Sequence, residues 1–206
     1  MKMTMRWFGE KYDTVTLRQI RQTAYVKGVI TTLYNKMPGE LWTFEEIKAL
    51  KNQIEAEELT LDGIESVNVS DDIKTAGKNR DKDIENYIKT LENLGKNDIH
   101  MVCYNFMPVF DWTRTELARR RADGSTVLAY SQKAVDALMP EKMFESIAYG
   151  TNGKVMPGWE PERMARVKEL FELYKNVDEE ALFSNLVYFL KAIMPVCNKY
   201  GKIGRA

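Results

Sequence analysis

Gly28-Val29-Ile30-Thr31-Thr32-Leu33 is β-branched and apolar almost from end to end. A strand with one wet face alternates apolar and polar residues. This run does not, so it reads as a strand buried on both faces, the kind found in parallel sheets. Pro38-Gly39 marks a loop after it. Thr43-Phe44-Glu45-Glu46 has the form of a capping box, with a hydroxyl at the N-cap and a carboxylate at N3. The helix it opens carries Ile47, Leu50 and Ile54 on one face. Strand, loop and amphipathic helix make a β/α unit, and the fold turns on whether that unit repeats.

It does repeat, on both sides. Upstream, Thr4 to Phe8 reads as a short strand, and Thr16 is placed to cap a short helix from Leu17 to Thr23. Downstream, Leu59 to Val69 is a strand region weakened by Gly63. Asp81 to Leu94 carries a helical stripe of Ile84, Tyr87, Ile88, Leu91 and Leu94, with Gly95 placed to end it. His100 to Phe106 reads as a fourth strand. The order β-α-β-α-β-α-β, in units of about 30 residues, is what parallel strands and their crossovers require. Met107 to Lys175 is too long for one crossover and reads as a helical insertion over residues 107–175, lying over one end of the sheet. It holds a turn at Ala122-Asp123-Gly124-Ser125, a loop at Gly150-Thr151-Asn152-Gly153, and a helix from about Pro161 to Tyr174. Asp178 then caps a long helix with Leu182, Leu186, Phe189, Leu190 and Ile193 on its buried face. Pro195 should kink or fray that helix and Gly201 should stop it, with a fifth strand expected next.

The chain has 206 residues, 44% apolar and 29% charged, which suits a soluble globular protein and argues against disorder. Thirty basic and thirty acidic side chains cancel, so there is no electrostatic reason to expect nucleic acid or an anionic membrane as partner. No run of 18 apolar residues marks a membrane span, and Met1-Lys2-Met3-Thr4-Met5-Arg6-Trp7 does not read as a signal peptide. Cys103 and Cys197 make no disulfide framework and no CxxC pair; a reducing cytoplasm is the expected setting. His100 is the single histidine, which excludes a multi-histidine metal site built within these residues.

Cys103-Tyr104-Asn105-Phe106-Met107-Pro108-Val109-Phe110-Asp111-Trp112-Thr113-Arg114-Thr115 resembles the signature segment of the D-mannonate dehydratases. Met5-Arg6-Trp7-Phe8-Gly9, the run from Gly28 to Leu33 with Pro38-Gly39-Glu40-Leu41-Trp42, and Phe189-Leu190-Lys191-Ala192-Ile193-Met194-Pro195-Val196 resemble further parts of that family. The resemblance covers residues 1 to 200. It implies an α/β fold: about four β/α units of a partial TIM (β/α)8 barrel of the xylose-isomerase-like kind, with residues 1–206 the N-terminal part of a single barrel domain. It implies a hydro-lyase that converts D-mannonate to 2-keto-3-deoxy-D-gluconate in hexuronate breakdown, by removing the C2 proton and expelling the C3 hydroxyl. Mn2+ or Fe2+ is the implied cofactor, a homo-oligomer the implied assembly.

Site groups of such a barrel lie at the C-terminal ends of strands, which Arg6-Trp7, Glu65 to Ser70 and Tyr104-Asn105 occupy on this reading. The resemblance therefore points to Arg6, Trp7, Tyr104, Asn105, Asp111 and Arg114 as substrate-binding residues. Each has a plainer reading. Trp7 can fill the barrel bottom, and Arg114 can pair with Asp111 or Glu116 in a capping turn. Glu65 is either a base or a buried partner of Arg6, and the Arg119-Arg120-Arg121 run reads as solvated surface. His100 lies at the wrong end of its strand for catalysis and reads as structural.

Two departures from the family pattern stand out. Where the family has a Val-Pro-Val-His-Glu-type segment, Val67-Asn68-Val69-Ser70-Asp71 stands here, with Ser70 at the histidine. The His-Pro-Asp-Asp strand expected after the last helix has no match in Lys202 to Ala206. Catalytic and metal-ligating groups are thus expected outside these residues, through truncation or a frame shift, and the chain alone is expected to be inactive. The competing reading is a non-catalytic half-barrel that binds a partner or a sugar acid. In either case half a barrel leaves sheet edges and an apolar inner face open, so association is expected.

Overall fold

The run that decided the fold becomes strand β2, Val26–Thr31, beginning two residues earlier than its sequence suggests. In the computed structural model, which describes residues 2–109, 114–136, 167–201 and 203–205, it is second in a five-stranded parallel sheet. The strands are β1 (Met3–Arg6), β2, β3 (Thr60–Ile64), β4 (Met101–Cys103) and β7 (Ile203–Arg205), side by side in that order. The β/α rhythm calls for a fifth strand after Gly201, where the sequence reads as stopping short of it; Ile203–Arg205 nevertheless pairs with β4 as β7. No closed barrel forms among the described residues.

The crossovers are α1 (Leu17–Gln22), α2 (Phe44–Glu55), then a short α3 (Asp71–Thr75) and a long α4 (Arg80–Lys96). Both capping boxes form: Thr16 with Gln19, and Thr43 with Glu46. Ile47, Leu50 and Ile54 are buried as their spacing requires. α3 had no periodic signal, being one turn long; Ser70 creates it by accepting the Ile73 amide at 3.3 Å. Within 107–175, expected as a helical insertion, the described residues hold an antiparallel hairpin, β5 (Glu116–Arg120) with β6 (Thr126–Ala129), and then the short α5 (Gln132–Asp136) and α6 (Val167–Tyr174). The Ala122–Ser125 turn is the hairpin's tip, closed by Asp123, which accepts the Ser125 amide at 3.0 Å. The Gly150–Gly153 loop and Pro161 lie outside the described residues.

The final helix, α7 (Glu179–Lys199), is capped by Asp178, whose carboxylate accepts the Ala181 amide at 2.8 Å. It runs past Pro195, where fraying was expected, because Val196 and Cys197 are buried and hold its last turns. Of its expected buried face, Phe189 and Ile193 are fully buried and Leu182, Leu186 and Leu190 only partly. Phe189 is the hub: its ring meets Tyr87 at 4.9 Å, Tyr104 at 5.9 Å and Phe106 at 5.9 Å.

The two faces of the sheet differ. Val29, Thr31, Ile64 and Val102 face the helices and are buried. Ile30, Met101 and Cys103 alternate with them on the other face and are only half-buried. A row of polar side chains on α4 and its C-cap ties down the chain that leads into α2. Asn86 donates to the Gly39 carbonyl (2.9 Å), Thr90 accepts the Trp42 amide (3.1 Å), Asn93 donates to the Trp42 carbonyl (2.8 Å) and Asn97 to the Phe44 carbonyl (3.3 Å). These residues recur at helical spacing, so one edge of α4 serves the whole connection.

Gly95 does not end α4, which continues to Lys96. Its role is steric. A Cβ there would lie 2.5 Å from the Tyr200 ring atoms and 3.0 Å from that residue's own Cβ. Alanine normally stabilises a helix interior by about 1 kcal/mol over glycine. Gly95→Ala is expected to do the opposite, lowering stability by about 1–3 kcal/mol through overpacking against α7, read as a lower urea midpoint at unchanged slope.

Candidate functional site

The C-terminal ends of β1, β2 and β3 converge on the Arg6 guanidinium. Arg6 is the last residue of β1. Its Nη2 donates to the Tyr34 hydroxyl at 3.1 Å, its Nη1 stands 3.5 Å from the Glu65 carboxylate, and the guanidinium lies 5.2 Å over the Phe8 ring. Arg6 is therefore the partner of Glu65, as one reading held, but the carboxylate is 56% exposed and not buried. Burial raises the Tyr34 phenol above its usual range, with the Arg6 charge opposing. The ring fits because Gly9, at φ +79°, would bring any Cβ to 3.2 Å from it.

A neutral hydrogen-bonding rail crosses the next strand ends. Thr32, just after β2, donates to the Ser66 carbonyl at 2.7 Å. The Ser66 hydroxyl donates to the Asn68 side-chain oxygen at 2.7 Å, and Asn105, two residues beyond β4, donates to that hydroxyl at 3.4 Å. Tyr87 on α4 fixes the segment from outside by donating to the Val67 carbonyl at 3.2 Å.

The residues expected from sequence divide on this geometry. Arg6 and Asn105 stand at strand ends with polar partners. Tyr104 lies on the opposite side of its strand, 9% exposed and edge-on to Phe189; burial raises its phenol above the usual range. Trp7 is 2% exposed, and its indole N–H finds no acceptor among the described residues. It lines a cleft of about 270 Å3 with Tyr12, Tyr34, Leu50 and Gln53. Arg114 is half-buried. Asp111 lies outside the described residues, and Glu116, the other partner considered for Arg114, holds Arg119 at 2.8 Å. Thr32 and Tyr34 were missed, Thr32 because it reads as part of the apolar run itself; Ser66 and Asn68 lie within the Glu65 to Ser70 stretch at the end of the third strand, where site groups were expected.

Ser70 serves structure. It caps α3 and donates to the Asp83 carboxylate at 2.6 Å, bracing α3 against α4. His100 also reads as structural: its ring bonds the Asp98 carboxylate (2.7 Å) and the Tyr200 carbonyl (3.0 Å), joining the start of β4 to the end of α7. Among the described residues no three His, Cys, Asp or Glu side chains are arranged to hold a metal ion. Neither Mn2+ nor Fe2+ fits the groups described, and no chemical step is assigned to an ion on them. What the arrangement offers is recognition: one fixed guanidinium for a carboxylate and amide and hydroxyl groups for neutral oxygens.

Two outcomes follow from the Ser70 brace. Ser70→Ala should lower stability by about 1–2 kcal/mol, from the lost cap and the carboxylate left without its donor, measured by chemical denaturation. Burial raises the Asp83 carboxyl above its usual range, the Ser70 hydrogen bond opposing and Asp72 adding. The native state thus holds that proton more tightly than the unfolded chain does, so stability falls as pH rises from about 4 through the raised native value. Asp83→Asn should flatten that part of a stability-versus-pH curve.

The D-mannonate dehydratase (UxuA) family model matches residues 1–203. The chain is 61% identical over 200 residues to the mannonate dehydratase of Brachyspira hyodysenteriae, covering 97% of this chain and 56% of that protein. It is 51% identical over 199 residues to that of Thermotoga maritima, covering 97% and 55%. The crystal structure of mannonate dehydratase from Streptococcus suis serotype 2 superposes with a TM-score of 0.81 at 38% identity, covering 99% of this chain and 52% of that one. The chain spans a little over half the length of the curated relatives it matches.

Proposed function

The chain belongs to the D-mannonate dehydratase family, and from that premise we propose that it is the substrate-binding front part of a hydro-lyase. The reaction takes D-mannonate to 2-keto-3-deoxy-D-gluconate in hexuronate breakdown, with loss of the C2 proton and the C3 hydroxyl. The open sheet is then the first stretch of a (β/α)8 barrel of the xylose-isomerase-like kind. The half-buried second face of the sheet supports that reading, as does the greater length of the relatives.

One observation carries the reading: Arg6 is held by groups from two neighbouring strand ends, with the Ser66–Asn68–Asn105 rail beyond. A guanidinium binds a carboxylate by paired hydrogen bonds, and the rail suits the hydroxyls of a sugar acid. Arg6 and Asn105 are the direct contacts in this proposal. Trp7 and Tyr104 support them from the packed layer, and Asp111 and Arg114 act from the segment beyond β4. The Mn2+ or Fe2+ and the proton-transfer groups are supplied by residues other than those described. The setting is the cytoplasm, and the chain associates with itself through the apolar surface it leaves exposed. A non-catalytic half-barrel that binds a partner or a sugar acid is the second reading; the Arg6 and Ser66–Asn68–Asn105 groups would serve such binding without any proton transfer.

Calorimetric titration tests the carboxylate role. D-mannonate should bind and D-mannose, which lacks the carboxylate, should not. Arg6→Met should weaken D-mannonate binding at least about tenfold, as loss of a charge-assisted pair implies, and Arg6→Lys should retain part of it. Equal affinity for acid and sugar would overturn the role of Arg6. The pure chain with Mn2+ should form no keto acid; turnover would show that the acid–base groups lie within it after all.

A further inference from the structure

The Arg6 guanidinium has two unlike sides. Tyr34 stands on one, its hydroxyl accepting from Nη2 at 3.1 Å, and burial raises that phenol above its usual range, so it keeps its proton. A hydroxyl that accepts one hydrogen bond can still donate one. The Glu65 carboxylate stands on the other side, 3.5 Å from Nη1, and a carboxylate only accepts. Strands already described set both positions. The Glu65 amide donates to the Thr31 carbonyl at 2.9 Å, and the Val67 amide donates to the Cys103 carbonyl at 3.1 Å. The segment that follows β3 is thus held between the ends of β2 and β4. The Trp7 amide donates to the Ile30 carbonyl at 3.0 Å and holds the end of β1 against β2.

An acid bound to Arg6 therefore has Glu65 beside it. Two carboxylates on one guanidinium repel each other unless a donor lies between them. A hydroxyl on the carbon next to the acid's carboxylate is such a donor. We infer that Glu65 reads the C2 hydroxyl of the acid held by Arg6, which makes this a site for 2-hydroxy acids that tells substrate from product. This role rests on the carboxylate binding proposed for Arg6 and adds what is read beside it. The C2 oxygen is where the two acids differ. In D-mannonate it belongs to a hydroxyl, which can donate to Glu65. Loss of the C2 proton and the C3 hydroxyl leaves an enol. The enol oxygen gives up its proton as C3 takes one, and the C2 oxygen becomes a carbonyl. A carbonyl cannot donate, and it turns its lone pairs toward the Glu65 oxygens. Glu65 thus favours the reactant and disfavours the keto acid. Its loose contact with Arg6 suits this, since a half-exposed carboxylate at 3.5 Å gives up little in turning to a hydroxyl.

Calorimetric titration of the full chain tests the role with three acids. D-mannonate should bind at least about tenfold more tightly than 2-deoxy-D-gluconate, which lacks only the C2 hydroxyl, and than 2-keto-3-deoxy-D-gluconate. In Glu65→Gln, whose amide can donate as well as accept, both ratios should fall to about threefold or less, mainly through tighter binding of the keto acid. The comparison on the unaltered chain needs no variant and decides the matter should Glu65→Gln fail to fold. Equal affinities for the three acids, each weakened by Arg6→Met, would overturn the role of Glu65 and leave that of Arg6 standing. Ratios unchanged in a folded Glu65→Gln would do the same. Binding of none of the acids overturns both.

Discussion

The Phe189 ring holds the last helix to the strand ends, and much of the site depends on it. A long segment separates β4 from α7, so local sequence does nothing to bring them together. Burial of one aromatic among Tyr87, Tyr104 and Phe106 does. Ring pairs at these separations add to the large area each ring removes from water. Tyr104 must point into that cluster, and strand alternation then turns Asn105 to the opposite side, where it reaches Ser66. Tyr87 contributes its face to Phe189 and its hydroxyl to the Val67 carbonyl. One apolar contact thereby orients the polar rail.

The strand ends are where a parallel sheet can place function, because its middle is committed to burial on the helix side. Arg6 illustrates the economy of that position. Its backbone belongs to β1, yet its guanidinium is shared by groups following β2 and β3. The neighbours differ in character: Tyr34 is half-buried, whereas Glu65 stands in solvent. An exposed carboxylate at 3.5 Å is a weak clamp, so the phenol is the firmer restraint. A guanidinium held in this way retains donors for an incoming anion.

Ser70 joins two elements of the fold. The serine ends one segment and starts the next as the α3 cap, with Asp83 as a second partner. The row of Asn86, Thr90 and Asn93 on α4 with its C-cap Asn97 works to similar effect on the other flank, holding the backbone that leads into α2 and pairing the N–H and carbonyl of buried Trp42. Both devices fix loops at the ends of the sheet with polar groups from α4.

Local sequence was sufficient wherever the signal is local. The capping boxes at Thr16 and Thr43, the Asp178 cap and the stripes of α2 and α4 depend on residues three or four apart, and they appear as read. The βα repeat and the strand-end positions of Arg6 and Asn105 were visible for the same reason, since a polar residue closing an apolar run is a local pattern. What depended on distant neighbours was not visible. Gly95 looks like a helix stop until Tyr200, 105 residues later, occupies the space its Cβ would need. That the Tyr104 ring packs into the core is set by Phe189, 85 residues later. Tyr34, Ser66 and Asn68 acquire meaning only when three strand ends are brought together. Propensity and spacing belong to a few residues at a time; contacts between elements belong to the packed molecule, and only the tertiary structure decides them.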